Sequence, residues 1–319
     1  MFYLLILIVL FATEIIYFKV ADRFNIIDKP NQRSSHSTVT LRGGGFIFYV
    51  AILAYFLAFG FTYPWFFIGL TMITLISFLD DIFTLSNKIR LVVHFTSVLL
   101  MAYELDLFTM QWYFLLIGFI ITVGVINAYN FMDGINGITA AYSLSIIALL
   151  WFVNQQISFI DPDFLIFITM GVLVFTFFNF RTKAKCFAGD VGSVAIAYIL
   201  MFVIGSLIIV TKKPIYILFL SVYGLDSVWT IIRRLYLREN IFEAHRSHLY
   251  QYLSNEGGIN KLVVASAYAI LQFIIGIVAI VFSKCTIAEQ LLIIIALLIS
   301  MSVVYLLIKK YFIKRFVKY

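Results

Sequence analysis

WYFLLIGFIITVGVINAYNFMDGINGIT, residues 112–139, decides the fold. From Trp112 to Ile126 the stretch carries no charge and no alternation of apolar and polar positions, so it reads as a helix and not as a half-buried strand. It then meets three amides, a carboxylate and two glycines in Asn127, Asn130, Asn136, Asp133, Gly134 and Gly137. Polar groups this dense at a membrane boundary cost free energy unless something uses them. The amides and the carboxylate supply oxygen ligands and hydrogen-bond groups, and the glycines let the backbone turn tightly beside a ligand. The stretch therefore reads as one wall of a metal and nucleotide site. A helix C-terminus followed by a turn is the structural alternative, since Asn, Asp and Gly are ordinary stop signals. Partners elsewhere in the chain must separate the two.

Working outward, the whole chain has the same character. It is 63% hydrophobic and 12% charged over 319 residues, with a mean hydropathy of +1.03. Apolar runs recur at roughly the 20-residue length a membrane span needs. Spans are expected at roughly 2–18, 45–61, 64–79, 91–103, 111–127, 138–153, 164–180, 193–210, 214–232, 261–282 and 287–308. Those at 64–79 and 91–103 are short enough to be tilted, kinked or extended into neighbouring sequence. The expected fold class is all-α, a polytopic helical membrane protein of about eleven transmembrane helices forming one domain over 1–319. The first run, Phe2 to Phe18, lacks a positive leader and a small-residue cleavage site and is expected to stay as the first span.

With the N-terminus outside, 20 of the 23 Lys and Arg residues fall inside, leaving Lys212, Lys213 and Lys284. That bias orients the protein N-out and C-in. The net charge of +7 is then an orientation signal, with attraction to anionic membrane lipid as a second effect, and does not argue for nucleic acid. Cys186 and Cys285 fall on opposite sides, which excludes a disulfide between them.

This topology places every unusual polar cluster on the cytoplasmic side. The first inside loop, KPNQRSSHSTVTLRGGG, brings Arg33, His36 and Arg42 ahead of three glycines expected to offer backbone N–H groups to an anion. FLDDIFTLSNKIR follows, with the adjacent carboxylates Asp80 and Asp81. Two such charges at 4 Å repel by about 1 kcal/mol in water and about 4 kcal/mol at an effective dielectric of 20, which favours a cation or a shared proton. Lys88 and Arg90 could neutralise the pair instead. In NFRTKAKCFAGDVGSVA, Asp190 opens the next span as a helix cap, a metal ligand, or both. In RRLYLRENIFEAHRSHLYQYL, His245, Arg246 and His248 bring two imidazoles and a guanidinium fork suited to phosphate and sugar hydroxyls. His94 lies within a helix and reads as a packing or lining residue.

Five motifs in this order, RSSH with RGGG, LDD with NKIR, NAYNFMDGING, AGDVGS and AHRSHLYQ, resemble the polyprenyl-phosphate N-acetylhexosamine-1-phosphate transferase family, glycosyltransferase family 4. The HRSHLYQ form looks like the branch that initiates O-antigen and related surface polymers. The resemblance implies transfer of HexNAc 1-phosphate from a UDP-sugar, UDP-GlcNAc foremost with FucNAc- and QuiNAc-type donors behind it. The acceptor would be undecaprenyl phosphate, UMP would be released, and magnesium would be needed, with manganese as a substitute. It implies a multi-pass protein of the bacterial inner membrane, with a homodimer as one assembly to consider. By carry-over, Asp190 and Asn130 would bind the metal and Asn127 and Asp133 would shape the nucleotide side. Asp80 and Asp81 would position or deprotonate the lipid phosphate and assist the metal, Lys88 would hold phosphate, and Arg42 would be among the substrate-binding residues. His245, Arg246 and His248 would meet the diphosphate and sugar. Two positions depart from the family pattern: Asn136 replaces a second aspartate, and Leu41 replaces a proline.

Two rivals predict other patterns. A secondary transporter places its acids near the midplane on broken helices. A lipid-binding scaffold needs no paired carboxylates.

Overall fold

The computed structural model describes residues 1–28, 39–83, 85–240 and 246–316. Arg33, His36 and His245 lie outside the described residues. Each expected span falls on a helix: α1 Phe2–Arg23, α2 Phe46–Phe59, α3 Pro64–Phe83, α4 Asn87–Glu104, α5 Trp112–Met132, α6 Ile138–Ile157, α7 Pro162–Asn179, α8 Gly189–Thr211, α9 Ser221–Tyr236, α11 Lys261–Phe282 and α12 Ile287–Phe316. A 3-10 segment, Pro214–Leu220, leads into α9, and a short α10, Leu249–Gln251, runs into a π turn, Tyr252–Glu256. Among the described residues nine segments are long and apolar enough to cross a membrane. The two spans outside that group are α2, only 14 residues long, and α4, which carries Lys88, Arg90 and Glu104. The chain is a polytopic all-α membrane protein.

Both short spans prove to be extended. Helix α3 runs on through Asp80 and Asp81 in its last turn, and α4 starts early enough to include Lys88 and Arg90. The extension is what puts these charges on helix ends. Helix α8 is the buried centre, contacting α2, α3 and α5. Its approach to α2 is possible because Gly45 faces Gly192, where a Cβ on either would overlap the other backbone.

One end of the bundle is tied by polar contacts. Tyr3 Oη donates to Asp163 Oδ1 at 2.5 Å and Tyr55 Oη to Asp161 Oδ2 at 2.7 Å, while Glu104 Oε2 accepts the N–H groups of Trp65 and Phe66 at 2.6 and 3.0 Å. Toward this end, between α4, α5 and α8, lies a cavity of about 880 Å³ lined by Val98, Leu105, Phe114, Met201, Ile208 and other mostly apolar groups. The polar cluster described next is at the other end.

Candidate active site

The site is assembled by a backbone register. Asp28 and Ile27 (β1, Ile27–Asp28) pair antiparallel with Thr40 and Leu41 (β2, Thr40–Leu41), and Leu41 forms a parallel bridge to Cys186. Phe187 N–H donates to Leu41 O, Gly44 N–H to Phe187 O and Gly45 N–H to Ala188 O. This zipper carries Arg42 to the start of α8. It also corrects the expectation for two of the three glycines: the N–H groups of Gly44 and Gly45 are consumed by carbonyls and do not face an anion. Tyr17 Oη holds the carbonyl of Arg42 at 2.7 Å.

Asp81 caps α8. Its Oδ1 accepts the N–H of Asp190 at 3.2 Å and its Oδ2 that of Val191 at 3.1 Å, so two of the helix's unsatisfied donors are met from α3. Gly189, at φ +71°, makes the turn that aims these groups. Asp81 Oδ1 also takes Arg42 Nη2 at 2.8 Å, and its side chain is fully buried. Asp190, expected as the cap of its own helix, is thus relieved of that role, and its carboxylate points out, one-fifth exposed.

The freed carboxylate lies between two guanidinium groups. Arg42 Nη2 is 3.2 Å from Asp190 Oδ1 and Arg90 Nη2 is 3.8 Å from Oδ2. Arg90 is in turn held by Asp80 Oδ2 at 2.7 Å, and Asp80 Oδ1 accepts the N–H of Leu85. Burial opposes the charge on Arg42, but Asp81 and Asp190 outweigh it and raise its pKa above the ordinary value. Arg90, which sequence reasoning admitted only as a neutraliser, is a central member of the cluster.

Residues 127–139 form the adjoining wall, near enough for the charge of Asp190 to act on the carboxyl of Asp133. Asn130 is half-buried in the last turns of α5, and Asn127, exposed, donates to Val123 O one turn back. Asp133 ends the helix. Loss of hydration raises its carboxyl to about 6 against the opposing hydrogen bond from Thr139 Oγ1 at 2.7 Å. Asn136 is buried and donates to Arg181 O and Thr182 O, a structural role that an amide fills and a carboxylate would not. Lys88 is exposed on the first turn of α4.

The last loop docks on this wall. Tyr250 Oη donates to Phe131 O at 3.0 Å, and the rings of Phe131 and His248 lie 6.1 Å apart. Arg246 is partly exposed, with Nη2 3.5 Å from Glu256 Oε1. His248, expected to touch substrate, is buried with Nδ1 on Asp226 Oδ1 at 3.2 Å. Sequence reasoning passed over Asp226, although a charge inside the apolar run 214–232 was the signal for it.

Among the described residues no three His, Cys, Asp or Glu side chains group to form a ready cation cage. Hard oxygens are nevertheless offered by Asp190, Asp133 and Asn130. Such a donor set suits Mg²⁺, which is usually held by one or two carboxylates with substrate phosphates and water completing the shell.

Comparison with known proteins places these residues in context. The profile of glycosyl transferase family 4 matches residues 63–210. Over 94% of this chain and 88% of the relative, the sequence is 28% identical to the probable undecaprenyl-phosphate N-acetylglucosaminyl 1-phosphate transferase of Bacillus subtilis. It is 26% identical to the undecaprenyl-phosphate alpha-N-acetylglucosaminyl 1-phosphate transferase of Escherichia coli K12, over 86% of this chain and 83% of the relative. A phospho-N-acetylmuramoyl-pentapeptide-transferase of Thermotoga neapolitana is 28% identical over 53% of this chain and 54% of its own.

Proposed function

The chain belongs to glycosyl transferase family 4, and from that premise we propose that it transfers N-acetylhexosamine 1-phosphate from a UDP-sugar, UDP-GlcNAc foremost, to undecaprenyl phosphate. The reaction would start a cell-surface polysaccharide at the cytoplasmic face of a bacterial membrane. The observation that carries this reading is the convergence of Arg42 and Arg90, from two separate segments, on the one outward carboxylate of Asp190. Two anionic substrates must meet in such a reaction, and phosphoryl transfer depends on positioning and charge neutralisation.

In this mechanism an oxygen of the lipid phosphate attacks the β-phosphorus of the donor. The bond from that phosphorus to the bridging oxygen breaks, UMP leaves with the oxygen, and the sugar's own C–O bond is untouched. A phosphate monoester loses its second proton near pH 6, so the nucleophile is already mostly ionised at neutral pH. Positioning then matters more than proton abstraction. Asp80 holds Arg90 through Nη1 and Asp81 holds Arg42 through Nη2, which fixes where the remaining N–H donors of each guanidinium would meet phosphate oxygens. Asp190 and Asn130 would hold Mg²⁺, with Asp133 beside them. When bound, the ion would neutralise charge on the donor's diphosphate.

Arg246 is assigned to the donor's diphosphate. Arg246→Ala should lower both turnover and donor affinity, while Arg246→Lys, which keeps the charge and loses the two-pronged geometry, should recover only part of the rate. UMP release by well-expressed variants decides it: full activity with Lys reduces Arg246 to an orientation charge.

The reading as a whole is tested with inverted membrane vesicles, undecaprenyl phosphate and labelled UDP-GlcNAc, UDP-FucNAc and UDP-QuiNAc. Magnesium-dependent UMP release with one donor is expected, and chelation should abolish it. Release from right-side-out vesicles alone would overturn the orientation, and no release with any donor would overturn the function.

A further inference from the structure

Behind the last loop lies a buried ionic network that the transfer mechanism does not use. Asp226 on α9, Lys309 on α12 and His248 are each no more than 3% exposed. Asp226 Oδ1 accepts Leu249 N–H at 3.1 Å, Tyr305 Oη at 2.9 Å, Thr230 Oγ1 at 3.2 Å and His248 Nδ1 at 3.2 Å; its Oδ2 accepts Tyr268 Oη at 2.7 Å. Lys309 Nζ does not touch the carboxylate. It donates to Thr230 Oγ1 at 2.8 Å and to Tyr305 Oη at 2.7 Å, so its charge reaches Asp226 through two hydroxyls.

Charges inside a bundle need a reason, because a buried ion pair adds little stability over apolar residues of the same shape. Position supplies one. Of the five donors to Asp226, two belong to the loop itself, His248 and Leu249, two and three residues beyond Arg246. His248 also closes a capping box with Gln251, which fixes the start of α10. One residue further, Tyr250 reaches Phe131 O, two positions before Asp133. A single carboxylate therefore sets the height of the loop, and the loop touches the wall of the site.

Resting on the transferase reading above, we propose that Asp226, charge-balanced by Lys309, is a positioning residue for the reaction: it holds the segment from Arg246 to Gln251 in register with the corner at Asp133. The network acts on the donor side, through Arg246, and leaves acceptor binding alone.

The test is steady-state UMP release by purified full-length enzyme, varying UDP-GlcNAc and undecaprenyl phosphate separately, with thermal unfolding followed in parallel. Asp226→Asn is expected to lower kcat roughly 10-fold or more, the scale on which a positioning partner acts, and to leave the acceptor KM unchanged. The double variant Asp226→Asn with Lys309→Met, which removes both charges, should regain thermal stability without regaining kcat. Recovery of kcat in step with stability would overturn the proposal by making the network purely structural, as would a wild-type kcat in Asp226→Asn. Should Asp226→Asn fail to fold, Tyr268→Phe removes one donor and no charge. A several-fold loss of kcat at unchanged acceptor KM is then expected, and an unchanged kcat overturns the idea. Wild-type turnover with unaffected variants sinks this proposal alone, whereas a wild type that releases no UMP sinks the transferase reading and the proposal together.

Discussion

Asp190→Asn is expected to fold and insert like the native chain and to lose turnover by roughly 100-fold, the upper range for loss of a group that organises a metal site. Its carboxylate caps nothing, since the two N–H groups at the start of α8 are held by Asp81. The amide keeps the shape of the side chain and can still accept from Arg42. What it loses is the negative charge between two guanidinium groups and the hard anionic oxygen that the proposed Mg²⁺ would take. UMP release at saturating UDP-sugar, measured across a magnesium titration, checks this. A wild-type rate with wild-type magnesium dependence would remove Asp190 from the site.

Asp81 should behave differently although it sits in the same cluster. Removing one partner of a fully buried ion pair costs about 3–5 kcal/mol, and less where, as here, the partner Arg42 is one-third exposed. Asp81→Ala does this and also leaves the N–H groups of Asp190 and Val191 without acceptors, so the expected result is loss of folded protein as well as activity. Asp81→Asn retains one oxygen for a backbone N–H and should yield more folded protein with little turnover. Detergent-solubilised yield and unfolding temperature, read beside UMP release, separate the two variants. A stable and inactive Asp81→Ala would show that Asp81 works on substrate and not on the helix.

The contrast between these two aspartates marks what the amino-acid sequence discloses. Apolar runs located the helices, because length and hydropathy are local properties. The clustering of LDD, NAYNFMDGING and AGDVGS at one end followed from counting spans, which only needs their parity. The division of labour among the acids was not legible, since it depends on the register between α3 and α8. One helical position decides whether a carboxylate caps a neighbour or faces outward. The glycines before α2 misled for the same reason: free N–H groups are a matter of partners, and Gly44 and Gly45 find theirs at Phe187 and Ala188, more than a hundred residues away. His248 was assigned to substrate from its residue type, and Asp226, whose charge within a span was the better signal, turned out to anchor it.

The polar ties of Tyr3 to Asp163, Tyr55 to Asp161 and Glu104 to the start of α3 have a mechanical meaning. They join α1 and α2 to α7 and, separately, α3 to α4 at the end remote from the charged cluster, so a tilt of these helices would have its pivot there. A tilt of roughly 5° about such a pivot displaces a point about 30 Å away, one hydrocarbon thickness, by about 2.6 Å. That travel is comparable to the distances from Arg42 to Asp81 and Asp190. Fixed at that end, the helices would pass any tilt on to the charged cluster as a shift on the scale of a hydrogen bond.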